Sequence, residues 1–179
     1  SLQEWTGRLV AAPMPKDLRE TCMVWRMESC RAGGDFAAIL GLVSLCVTNL
    51  DQVQSRRVLG GVCGAELAAG QFEQAAKLLG SIDAESGKDP WLKNLVAMKR
   101  TEWFLLQNKW EDAGRQFTAS ASILTDGELA GLLGQIAASG IQKEQLDFVD
   151  GLCDTVIDKW KDKPGTMREA AVKWLAVAK

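Results

Sequence analysis

Histidine and tyrosine are both absent from this chain of 179 residues. Without histidine there is no Ser-His-Asp or Cys-His arrangement, no His-assisted zinc site and no imidazole general base. Strand signals are missing too, because Val, Ile and Thr nowhere alternate with polar residues over a strand's length. No glycine-rich phosphate loop occurs: Gly60-Gly61 and Gly131 with Gly134 lie inside helical runs, with no Lys-Ser/Thr behind them. Close helix packing is their plainer use. The five cysteines are odd in number and form no C-x-x-C, which suggests neither a disulfide framework nor a zinc knuckle. Cys22 and Cys30 stand eight apart on one predicted helix, roughly 12 Å along its axis, too far for a bridge. All five fall in apolar runs, where a thiol behaves as a small hydrophobe. Reduced, buried thiols lean toward the cytoplasm.

Charge of one sign is also lacking. The net charge is −2, so there is no basic footprint for nucleic acid and no Lys/Arg cluster for a membrane surface. The longest uncharged run, Phe36–Asn49, is shorter than the ~20 apolar residues of a membrane span and reads as a buried helix. The chain starts at Ser1 without an initiator Met and ends at Lys179 inside a helical pattern. Both are expected of a domain cut from a longer protein, whose signal or anchor would lie outside it. A removed leader of that kind would open the periplasm as a compartment.

What is present suits a globular fold: 47% apolar and 25% charged residues, in a chain long enough to bury about 70% of its unfolded surface without disulfides or metal. Apolar spacing and stop signals predict ten helices, at about 2–11, 17–32, 35–47, 51–69, 72–82, 90–107, 110–123, 126–140, 142–161 and 166–179. The prolines at 13, 15, 90 and 164 fall at boundaries. Asp51 reads as an N-cap. Thr125 with Glu128, and Thr166 with Glu169, read as capping boxes. Short loops between such helices imply antiparallel neighbours.

Three phrases recur between these helices: Ala32-Gly33-Gly34-Asp35-Phe36, Ala69-Gly70-Gln71-Phe72 and Gln107-Asn108-Lys109-Trp110. Their aromatics are 36 and 38 residues apart, the period of stacked helical hairpins. Gly70, Phe72, Ala75 and Leu79, then Asn108, Trp110, Ala113 and Phe117, resemble the tetratricopeptide repeat, in which a turn residue, an aromatic and a small residue join helices A and B. Gly34, Phe36, Ile39 and Val43 give a third copy, and Cys46 and Ser120 occupy the family's second small position. Helix A diverges: Arg26 and Arg100 replace the usual Leu, only Val62 complies, and the closing Pro is missing. A fourth copy is placed at Gly140, with Gln142 in the aromatic position.

The resemblance implies an all-α fold, a right-handed α-α superhelix of about ten antiparallel helices, as one domain over 1–179. The clearest repeats are 17–50, 51–88 and 89–124, with 125–179 looser. It also implies a groove lined by helix A residues: Val24 and Glu28, then Gly60, Gly64 and Leu67, then Met98, Glu102 and Leu105. Relatives that grip a chaperone's C-terminal carboxylate use Lys and Asn at such positions. This chain has neither there, so the groove is expected to be mixed apolar and mildly acidic, suited to a helix or an extended apolar segment.

Two further patterns stand out. Asp147, Asp150, Asp154 and Asp158 form one helical stripe, read as a solvated face; no calcium site is expected there, because a straight helix cannot wrap oxygens around an ion. Seven tryptophans are present; Trp25, Trp103 and Trp160 read as core anchors, and Trp5, Trp91 and Trp174 as nearer helix ends. The expected function is a non-catalytic scaffold that binds a peptide or protein segment, with no cofactor, metal, nucleic acid or membrane insertion. The alternatives are a self-assembling homo-oligomeric subunit, since unfinished solenoid ends expose apolar surface, and a helical accessory domain of a larger protein.

Overall fold

The computed structural model describes residues 14–87, 91–162 and 165–179. The first expected helix, Trp5 and the expected helix start at Pro90 lie outside them. Nine α-helices and no strand occur among the described residues: α1 Lys16–Ala32, α2 Phe36–Asn49, α3 Gln52–Ala68, α4 Phe72–Glu85, α5 Leu92–Leu106, α6 Trp110–Ser120, α7 Asp126–Gln142, α8 Leu146–Lys159 and α9 Thr166–Ala178. The chain divides into two compact units, Ser1–Lys99 and Arg100–Lys179, with the boundary inside α5.

In the first unit each helix packs on the next and on the next but one: α1 on α2 and α3, α2 on α3 and α4, α3 on α4. A hairpin buries only part of its apolar surface alone, and this pattern joins the remainder into one core. Met23 and Met27 of α1, Ile39 and Leu42 of α2, Leu59 and Cys63 of α3, and Leu78 and Ile82 of α4 form that core. The buried Ser55 hydroxyl donates to the Cys46 carbonyl at 2.9 Å, tying the last turn of α2 to the first turn of α3. In the second unit α6 packs on α7, α7 on α8, and α9 on both α7 and α8. Its core takes Phe117, Leu132, Ile136, Val149, Cys153 and Met167.

Side chains cap three of the helix starts among the described residues. Asp35 accepts from the Ala38 N–H at 3.0 Å. Asp51 and Gln54 form a reciprocal capping box, as do Thr125 and Glu128, each pair satisfying two otherwise orphaned backbone donors. The second expected box does not form. Thr166 is the first helical residue of α9, and Gly165 precedes it with no side-chain cap. Thr166 is thus one position too late for its hydroxyl to act as the cap.

One turn geometry recurs four times. Gly34, Gly70, Asn108 and Glu144 have positive φ, at 71°, 72°, 56° and 59°. In each case the next residue returns its N–H to a carbonyl five positions back: Asp35 to Cys30 at 2.9 Å, Gln71 to Glu66 at 2.9 Å, Lys109 to Phe104 at 3.0 Å and Gln145 to Gly140 at 2.8 Å. The left-handed residue bonds three positions back in all four. This is the Schellman closure of a helix C-terminus. The fourth turn is therefore centred on Glu144, not Gly140, and Leu146 takes the position held by Phe36, Phe72 and Trp110. Burial follows the same register. Ile39, Ala75, Ala113 and Val149 are all buried, as are Val43, Leu79, Phe117 and Cys153 one turn later, and Cys46, Ile82, Ser120 and Val156 after them. Gly140 has a different duty: a Cβ there would lie 2.5 Å from Val149 Cγ2, so its lack of a side chain lets α7 and α8 approach.

Candidate functional site

The first unit carries a shallow depression of about 400 Å³ between α3 and α5. Its floor forms where α3 has no side chains. A Cβ on Gly60 would lie 3.2 Å from Leu95 Cδ1, one on Gly64 3.4 Å from Lys99 Nζ, and one on Gly61 would meet nothing within 4 Å. The two glycines of this lining, Gly60 and Gly61, thus bring the backbone of α3 to the surface beside Leu95 and Met98. Arg56 reaches across, with Nη2 3.6 Å from Met98 Sδ. Arg56, Arg57 and Lys99 also line the depression, and Arg57 pairs with Glu20 at 2.8 Å. Val53, 66% exposed, completes its apolar edge.

The expected groove residues fall in different places. Gly60 and Met98 come together in this depression, and Gly64 lies one helical turn along α3 against Lys99. Val24 and Glu28 are half-buried on α1, with Glu28 paired to Arg31 at 3.1 Å. Leu67 and Leu105, at 2% and 6% exposure, are core residues that offer a partner no surface. Glu102 is half-buried and belongs to the second unit. The depression itself is not acidic: the three side chains lining it that carry charge are all cations. They were missed because Arg56, Arg57 and Lys99 stand beside the positions carried over from the repeat family rather than on them. The available signal was Arg56-Arg57 placed one helical turn before Gly60-Gly61, which puts cations at the edge of a bare backbone patch.

A second cleft, about 610 Å³, opens between the last two turns and is lined by Trp110 and Phe148, whose ring centroids are 6.0 Å apart. Phe148 was not among the expected site residues. Trp25 is 55% exposed, not a core anchor. Trp103 and Trp160 are half-buried, with Lys109 and Lys159 ammonium groups 5.1 and 4.8 Å from their ring centroids. Trp91 and Trp174 are also half-buried. Asp147, Asp154 and Asp158 are exposed and Asp150 is half-buried. All five cysteines are buried and none is in a disulfide. Burial pushes the Cys46 thiol up to about 12. Burial, helped by the charges of Asp150 and Asp154, pushes Cys153 to about 11. Among the described residues no group of three His, Cys, Asp or Glu is placed to hold a metal ion, and no helix is long and apolar enough to cross a membrane. No family model matches this chain, and neither a curated protein nor a solved structure matches it.

Proposed function

We propose that this chain is a non-catalytic, tetratricopeptide-like interaction scaffold whose α3–α5 depression binds an acidic, amphipathic peptide or helix from a partner protein. The observation that supports this reading is the pairing of an open apolar floor, Gly60-Gly61 with Met98, and a cationic frame, Arg56, Arg57 and Lys99. A helix laid in such a groove places apolar anchors on the floor and its carboxylates beside the cations. Complementary charge of this kind raises the association rate and fixes register more than it adds affinity. The local sign is opposite to the chain's net charge of −2.

The test is fluorescence anisotropy with a synthetic helical peptide bearing leucines on one face and glutamates beside them. Its affinity is expected to fall as salt is raised. Gly61→Leu fills open space and improves helix propensity, so the fold is retained while the floor is blocked. Gly61→Leu, and separately Arg56→Glu with Lys99→Glu, are each expected to weaken binding about tenfold or more, the effect of losing a central anchor or a desolvated charge pair. Equal affinity in both variants would overturn the reading.

A second reading, self-association, is favoured by α9, whose outer face leaves Val172 and Val177 half exposed or more. Sedimentation equilibrium distinguishes it: a dimer that Val172→Glu dissociates would support self-association, and a concentration-independent monomer would remove it.

A further inference from the structure

We propose that the cleft between the first two turns is a binding site for a guanidinium group, such as an arginine side chain of a partner, with Glu66 as its counter-ion. Glu66 is only 2% exposed, as buried as the leucines around it. Its Oε1 meets no hydrogen-bond donor among the described residues. Burying a carboxylate without a donor is strongly unfavourable, so this position is costly to the folded chain unless something else supplies the donors.

The surroundings say what would. Glu66 lines a cleft of about 300 Å³ together with Phe36, Ile39, Ala69, Gln71 and Gln74. One water needs only ~30 Å³, so the space suits a side chain. Phe36, Ile39 and Ala69 can take an aliphatic stem, and the amide oxygens of Gln71 and Gln74 can accept N–H groups beside the carboxylate. The planar fork of a guanidinium offers five donors and matches a carboxylate edge. The one internal cation in the lining, Arg31, is engaged elsewhere: its Nε and Nη2 both lie 3.1 Å from Glu28 Oε2.

The repeat register shows that the turn itself does not require this carboxylate. Cys30, Glu66, Phe104 and Gly140 occupy the same position, each giving its carbonyl to the closing bond of its turn, and three of the four carry no charge. In the corresponding cleft of the second unit Phe148 stands where Gln74 stands here, beside Trp110. The first cleft is instead lined by polar groups around a buried charge. None of its lining residues is shared with the α3–α5 depression, so the two proposals stand or fall separately.

The test titrates the isotope-labelled chain with N-acetyl-arginine methylamide, and with N-acetyl-norleucine methylamide as an uncharged control, following the amides of Gly34, Gln71 and Gln74 by NMR. Saturable shifts confined to these amides are expected with the arginine probe alone. Glu66→Gln, isosteric and uncharged, should weaken the arginine probe at least about tenfold, as for a lost hydrogen bond to a charged group, with no fall in melting temperature. Gln74→Phe copies the second unit and should abolish binding while leaving Glu66 intact. Unsaturable shifts, or equal affinity in Glu66→Gln and Gln74→Phe, would overturn the proposal and leave a cleft that holds water only. Arg31→Gln should bind the probe as well as the parent chain. A marked gain in affinity, or a Glu66→Gln effect on melting that vanishes in the Arg31→Gln background, would make Arg31 the counter-ion and also overturn it.

Discussion

Glu144 holds a left-handed backbone that its counterparts assign to Gly34, Gly70 and Asn108. For a residue with a Cβ that conformation costs roughly 1–2 kcal/mol, and Asn tolerates it better than Glu. Glu144→Gly is therefore expected to stabilise the protein by about 1 kcal/mol, a rise of roughly 2–4 °C in melting temperature for a chain of this size. Chemical denaturation gives the same comparison, and no gain would mean that the turn is not left-handed in solution. The position is hard to read from sequence because Glu carries no turn signal. Gly140, four residues earlier, carries the strongest one yet sits inside α7 for a different reason, its contact with Val149. Both a glycine that packs and a glutamate that turns invert the usual correspondence between residue type and backbone.

At the scale of elements, most helices were legible because their stops are chemical. Gly33-Gly34, Asp51, Gly70 and Thr125 with Glu128 end or begin helices by satisfying orphaned backbone groups, and the structure places the boundaries there. The cap of α9 was misread because Thr166 and Glu169 have capping-box spacing one residue too far along. Packing between elements leaves a weaker trace. The α7–α8 approach depends on Gly140, and Gly140→Ala would force a methyl against the stiff, buried Val149. Its expected cost is about 1–3 kcal/mol. Val149→Ala in the same chain should recover part of that loss, so the two changes are non-additive in a double-mutant denaturation cycle. Purely additive losses would mean that the helices separate rather than press on this contact.

At the scale of the whole molecule, the buried thiols give stability a defined pH dependence. The Cys46 thiol rises from an ordinary value of 9.0 to about 12 in the folded chain, and Cys153 from 9.0 to about 11. Between those limits the unfolded chain releases protons that the folded chain retains, so stability falls as pH rises. The contribution is complete below pH 9 and is lost progressively above it. Melting temperatures measured from pH 8 upward should decline with a slope that Cys46→Ala reduces; an unchanged slope would mean that this thiol ionises as easily folded as unfolded. The division into two units was not legible, because the boundary inside α5 coincides with no proline, glycine run or change in composition. The candidate depression was half legible. Its glycines and Met98 lay on the expected helices, but its cations appear only when α3 and α5 are set side by side.

The four turns also amount to a calibrated set of probes. The amides of Asp35, Gln71, Lys109 and Gln145 each close the same ring to a carbonyl five residues back, at 2.8–3.0 Å. Matched bonding removes one source of difference among their exchange rates, leaving local opening and the known effects of neighbouring side chains. Hydrogen exchange at these four positions, corrected for sequence, therefore ranks the opening free energies of successive hairpins on a common scale within a single molecule.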